Sequence, residues 1–373
     1  MFKHAKITHR CPQIIQETPS HIGKISHIDV DLIRTVAIIG VILLHAANDL
    51  TIQQPNTLEI FRWTTVDVYQ SLGRIGVPLF ILLSGALLLV PTKADESMRN
   101  FFRKRFLRVG LPFVFWVIIY FLWDFTVKQQ AVTTNFIVQG LLSGPYYHFW
   151  YIYMLFGLYL LTPVLRVVVA YAKRSVIKFF LAVWFIGSAL LPILDLLTPY
   201  RVDSNLLTVP LYVGIYMLGV FLVDVHLKRS QLALYITAGV ALTAVFTYAL
   251  AATIGGATMY YFQDYSSATM ILASASVFLL LLSYAPPTLQ QDGGHPSAGR
   301  RLLHVISEST LAIYFLHLIV IETLQNGYLG FAINGNTINS IVGVPLMTAL
   351  TLFLCLAIVV PLKKVPYLKK LIG

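Results

Sequence analysis

Asp31-Leu-Ile-Arg34-Thr-Val-Ala-Ile-Ile-Gly40-Val-Ile-Leu-Leu-His45-Ala-Ala-Asn48-Asp49 is an apolar run carrying an arginine and a histidine on one line. If the run is helical, Arg34 and His45 are separated by roughly 16 Å of rise and about three turns, so both project from nearly the same face. With Arg34 at one boundary of a hydrocarbon layer about 30 Å thick, His45 is expected near mid-depth. An ionisable group there costs a few kcal/mol, so it is expected to face the protein interior or a wet cavity. Asp49, one turn further on, is placed to orient the imidazole.

The rest of the composition agrees with a membrane setting. Of 373 residues, 57% are hydrophobic and only 12% charged. Soluble domains carry roughly a quarter charged residues, so an all-α, polytopic membrane helix bundle is expected rather than a large soluble core. The two cysteines, Cys11 and Cys355, lie at opposite ends of the chain and support neither a disulfide framework nor a zinc site. No cleavable leader is read, because the first 28 residues are polar.

Apolar runs long enough to span follow at about 31–50, 75–91, 109–127, 149–170, 177–197, 206–224, 231–253, 267–285, 305–325 and 339–361. They predict about ten helices with both termini on the same side. The expected organisation is a cytoplasmic tail (1–28), a membrane domain (29–363) and a short cytoplasmic tail (364–373). Pro192, Pro210 and Pro345 are read as lying near helix ends, where a missing donor does least harm. The cations test this threading. All but Arg62, Arg74, Lys128 and Arg201 of the 27 Lys and Arg fall on the side of the termini. Such an imbalance predicts N-in, C-in by the positive-inside rule. The net charge of +11 is therefore topological, and no nucleic-acid partner is expected.

Several residues are candidates for chemistry. His45 reads either as a general base, with an ordinary pKa of about 6.5, or as a histidine hydrogen-bonded between helices. Arg34 reads as a site residue or as a side chain reaching for the headgroups. Ser84 and Gly85 allow close helix approach or backbone access for a ligand. Arg103, Lys104, Arg105 and Arg108 read as a clamp for the phosphates of a nucleotide-like donor, or as an anchor on anionic lipid. Pro145-Tyr-Tyr-His148-Phe-Trp150-Tyr-Ile-Tyr153 is an interfacial aromatic belt or a sugar platform. His317 and Glu322 form a second ionisable pair within an apolar span, placed to face His45. No Gly-rich phosphate loop, hydrolase elbow or metal motif is present, and no metal is expected.

Taken together, these stretches resemble the acyltransferase-3 family of integral membrane acyltransferases. The resemblance rests on Arg34 and His45, Gly76-Val-Pro-Leu-Phe through Leu83-Ser84-Gly85, Arg105-x-x-Arg108-x-x-x-Pro112, His148-x-Trp150, Leu161-Thr-Pro163 and Tyr314 to His317. It is nearest to the sugar O-acetyltransferases of the enterobacterial-common-antigen type. It implies transfer of an acyl group, commonly acetyl, from cytoplasmic acyl-CoA to a hydroxyl of a cell-surface carbohydrate, in a multi-pass protein of the inner membrane. On that resemblance His45 is the base or a transient acyl carrier, helped by Arg34. Arg103, Arg105, Arg108, Ser84 and Gly85 serve the coenzyme, and His148, Trp150, His317 and Asp49 serve the acceptor. Some members of such a family carry a fused hydrolase-like domain; the residues after 361 are too few to fold as one, so none is expected here. The rival reading from the residues alone is a proton-coupled transporter or flippase using His45, His317 and Glu322 as a relay.

Overall fold

The computed structural model describes residues 25–47, 60–131, 133–198, 210–283, 291–292, 295–333 and 338–373. The helices are α1 (His27–Ala46), α2 (Ile60–Gly73), α3 (Gly76–Leu88), α4 (Met98–Arg105), α5 (Leu111–Thr126), α6 (Thr134–Ser143), α7 (Trp150–Tyr171) and α8 (Arg174–Phe185). They continue with α9 (Leu191–Leu197), α10 (Leu211–Leu222), α11 (Arg229–Thr253), α12 (Ala268–Ser283), α13 (Ala298–Gln325), α14 (Ser340–Leu362) and α15 (Pro366–Ile372). A two-residue antiparallel ladder, Gln291–Asp292 with His295–Pro296, is the one β pairing among the described residues.

Eight stretches among the described residues are long and apolar enough to cross a membrane. Adding α1, which carries Asp29, Asp31 and Arg34, and the shorter apolar Leu211–Leu222 accounts for all ten runs read from the sequence. The chain is thus an all-α, polytopic bundle.

α1 is the central post, packed against α2, α3, α13 and α14. It starts where Ser26 and Asp29 cap each other reciprocally, Asp29 N–H donating to Ser26 Oγ at 3.2 Å and Ser26 N–H to Asp29 Oδ2 at 2.9 Å. Arg34 therefore lies about 10 Å inside the helix instead of at its boundary, and His45 falls in its last turn.

Small residues set the tightest contacts. Gly73 and Gly76 flank a break between α2 and α3 and press on α1; a Cβ at Gly73 would lie 2.6 Å from the Leu44 nitrogen, and one at Gly76 2.5 Å from the Ala37 oxygen. α3 and α10 touch backbone to backbone, with a Cβ at Gly85 only 1.9 Å from the Tyr216 oxygen and one at Gly219 2.0 Å from the Leu82 oxygen. The second span begins at Ile60 instead of 75, because buried Asp67, Gln70 and Ser71 interrupt the apolar run while remaining helical.

Two π-helical turns, Phe106–Gly110 and Ile186–Leu190, each end two residues before a proline. Pro112 and Pro192 have no N–H for the carbonyl four residues back, and the helix widens there instead of breaking. Pro192 is thus internal to the stretch Arg174–Leu197, and Pro345 is internal to α14, whereas Pro210 caps α10 as expected.

On the α1 N-terminal side, Arg166 is buried in α7 and is not a loop anchor. Its Nε donates to the Leu88 carbonyl at 2.6 Å and its Nη1 to Glu96 Oε2 at 2.9 Å. Glu96 also meets Lys104 at 2.7 Å, so one carboxylate ties α7 to the segment leading into α4. The Lys104 hydrogen bond, with that from Arg166, holds the Glu96 carboxyl below its ordinary 4.5. A lowered carboxyl contributes stability above its unfolded value and loses it as pH falls through the folded one. Glu96→Gln should therefore lower the melting temperature in detergent near neutral pH, and the gap from wild type should narrow as pH falls below the ordinary 4.5. A gap independent of pH would show that the carboxylate charge is not what holds this corner.

Candidate active site

Three imidazoles meet where α1, α7 and α13 come together. The His45 and His317 ring centroids are 5.2 Å apart, and those of His148 and His317 5.4 Å. His45 is half-buried, whereas His148 and His317 are 1% and 0% exposed. His317 Nδ1 lies 2.5 Å from the Tyr314 carbonyl, which can only accept, so Nδ1 carries the proton and the Nε2 of the neutral ring keeps its lone pair. That Nε2 and both ring nitrogens of His148 have no hydrogen-bond partner among the described residues. An unpaired buried polar group costs about 1–3 kcal/mol, and such groups gather where a ligand completes the hydrogen bonding.

The local sequence builds this knot. Gly144 takes φ +94°, which turns the chain out of α6 and into the aromatic run; a side chain there would also meet Phe149. A 3₁₀ turn, Tyr147–Phe149, then swings His148 inward before α7 begins. Tyr314 donates its hydroxyl to the His148 carbonyl, and Tyr120 donates to the Phe315 carbonyl at 2.7 Å, fixing α13 against α5 and α7. The Tyr147 hydroxyl lies 3.5 Å from His45 Nδ1, at the outer limit of a hydrogen bond. Beyond it, Tyr146 bridges Lys128 and Glu322, whose ion pair measures 3.0 Å.

The second pole lies about 16 Å back along α1. Arg34, Arg105 and Arg108 are the cations around the buried Tyr159, and Arg105 lies over the Tyr159 and Phe101 rings at 5.8 and 5.6 Å. Pro163 leaves the Tyr159 carbonyl without its helical donor, while Thr162 binds back to Leu158 at 2.8 Å and meets the Tyr216 hydroxyl at 3.0 Å. Arg34 faces Asp31 and Glu308 as well as Arg108, so its charge is partly balanced. Three guanidinium groups surround Tyr159, and Arg105 Nε is buried without a partner among the described residues; planar forks of this kind suit the oxygens of a phosphate or carboxylate.

The chain matches, over residues 27–360, a family model described as an acyltransferase domain. It belongs to the acyltransferase-3 family. No curated protein and no solved structure matches it. Membership makes the chain a multi-pass membrane acyltransferase, and both poles lie within the matched residues.

The sequence-predicted residues fall into place unequally. His45, His148 and His317 come together, as do Arg34, Arg105 and Arg108. Arg103 is exposed and outside that cluster. Gly85 is occupied by the Tyr216 backbone, which accounts for the glycine by packing, and Ser84 is half-buried in α3. Trp150 stands at the head of α7 between Tyr212 and Tyr265, not among the histidines. Glu322 does not pair with His45; its carboxylate is held by Lys128, Tyr146 and Trp123. Asp49 lies outside the described residues. Two residues were missed. Tyr159 is an aromatic within an apolar helix and carries no local signal. Arg74, counted only as a cation on the side away from the termini, sits in the α2–α3 break, one residue from the Gly73 contact with Leu44, and is a charge facing His45.

Proposed function

We propose that the protein is an O-acyltransferase that moves an acyl group, acetyl in the simplest reading, from cytoplasmic acyl-CoA to a hydroxyl of a cell-surface polysaccharide or lipid-linked sugar. The observation that carries this is the placing of two poles on one helix: a cationic receptor around Arg34 and a histidine base at His45, separated by a reach that an extended pantetheine arm matches. In this reading the chain lies N-in and C-in in the inner membrane, with the phosphates of the coenzyme on Arg34, Arg105 and Arg108.

The thioester carbonyl then lies near His45. The acceptor hydroxyl gives its proton to the imidazole as its oxygen bonds to the carbonyl carbon. The carbon–sulfur bond breaks, and the imidazolium returns the proton to the departing thiolate. No metal is needed for this balance. The engagement of Glu322 by Lys128 favours this reading over a proton relay running from His45 through Glu322.

Membranes containing the protein should transfer label from radioactive acetyl-CoA into a base-labile ester on endogenous glycan, and surface glycans should lose an acyl mass in cells lacking it. Absence of both changes would refute the proposal. Arg105→Ala combined with Arg108→Ala should raise the KM for acyl-CoA about ten-fold or more, since each lost charge-assisted bond is worth about 1.5–3 kcal/mol. An unchanged KM would return the pair to anchoring on lipid.

A further inference from the structure

Arg74 is a cation that neither the positive-inside pattern nor the coenzyme receptor uses. It sits in the break between α2 and α3, on the His45 side of the bundle. Its Nε donates to Gln263 Oε1 at 3.2 Å, and Gln263 Nε2 donates in turn to Asp67 Oδ1 at 2.6 Å. Gln263 and Asp67 are 1% and 2% exposed, so the guanidinium is anchored from a buried base. Among the described residues, Nε is the nitrogen of Arg74 that makes a hydrogen bond. The two Nη groups remain as a fork, the geometry that carboxylates and phosphates accept in bidentate fashion.

The surroundings have the chemistry of a sugar site. The Arg74 guanidinium lies 5.8 Å from the Tyr265 ring centroid. Tyr265 stacks on Trp150 at 5.8 Å with 28° between the planes, and Tyr212 lies tilted by 34° on Trp150 at 5.7 Å. Trp150 and Tyr212 are half-buried, so part of this aromatic wall stays open beside the fork. Two acidic groups also face this corner. Asp67 is engaged by Gln263, and Asp264 accepts from the Ser266 N–H and hydroxyl at 2.8 and 2.6 Å.

We propose that Arg74 and the Trp150–Tyr212–Tyr265 wall form an oxyanion-selective acceptor subsite, and that the sugar receiving the acyl group carries a carboxylate or a phosphate. The anion rests in the Arg74 fork and a ring face lies on the wall, with a hydroxyl within reach of His45. This assignment names the acceptor class of the acyl-transfer reading and rests on it. The coenzyme occupies the other pole, so the two negative ligands do not compete.

The test uses the full chain in nanodiscs, with three soluble probes: methyl glucuronide, glucose 1-phosphate and methyl glucoside. Quenching of tryptophan fluorescence reads binding, and labelled acetyl-CoA reads transfer. Wild type should bind a charged probe about ten-fold or more tightly than the neutral one, the worth of a charge-assisted pair. The uronate and phosphate arms tell which anion fits. Arg74→Gln should bring the charged probes down to the neutral level, and Arg74→Lys should fall between, because it keeps the charge and loses the fork. Equal binding of all three probes by wild type, or equal losses on charged and neutral probes in Arg74→Gln, would overturn the subsite. Transfer without charge preference sinks this inference and leaves acyl transfer intact. Charge-selective binding with no transfer to any probe or glycan defeats acyl transfer, and with it the role of this corner as an acceptor site.

Discussion

Membranes carrying His45→Ala should contain normal amounts of protein and transfer acyl groups roughly 10²–10⁴-fold more slowly than wild type, the usual worth of a positioned base. Expression is expected to survive because alanine favours helix and His45 is half-buried in the last turn of α1. Neither neighbouring histidine should substitute for it. His317 and His148 are 0% and 1% exposed, and His148 lies beneath Tyr120 and Phe149, whereas His45 is half-buried. The measurement is labelled acetyl transfer normalised to protein, with acyl-CoA binding followed separately. Activity within a few-fold of wild type would remove His45 from the chemistry. Loss of coenzyme binding along with turnover would point to damage at the cationic pole.

The second large effect concerns the fold. Gly85→Val and Gly219→Val should each prevent recovery of folded protein or lower the melting temperature in detergent sharply, with a cost of about 3 kcal/mol or more. The obstacle in each case is the backbone of the facing helix, at 1.9 and 2.0 Å from the new Cβ, and not a side chain that could rotate away. Close approach of this kind is how helices associate in lipid, where apolar burial gives no advantage. Gly157→Ala is the control, since nothing lies within 4 Å of its Cβ position. Equal stability of Gly85→Val and Gly157→Ala would mean that α3 and α10 do not meet as described.

Much of the architecture was legible because a run of about twenty apolar residues has few alternatives in a bilayer, where backbone polar groups must be satisfied within the segment. Charged residues inside such runs stand out, which is why Arg34, His45 and His317 could be singled out before any contact was known. Partners distant in sequence were not legible. Asp67 is 196 residues from Gln263, so its hydrogen bond could not be foreseen, and the polar stretch before Ile75 looked like a loop. Arg166 counted correctly as a cation on the side of the termini, yet nothing local showed that Leu88 and Glu96 would bury it. Gly85 carried two readings, helix contact and ligand access, and only the position of Tyr216 separates them.

The π turn at Phe106–Gly110 has its own consequence for the cationic pole. A π turn holds one more residue than regular α geometry, and one residue is about 100° of rotation. A helical wheel drawn backwards from α5 therefore points Arg105 at the wrong azimuth. The angular phase between the charged end of this span and its apolar body is set by one supernumerary residue, which Pro112 keeps from being absorbed into regular geometry.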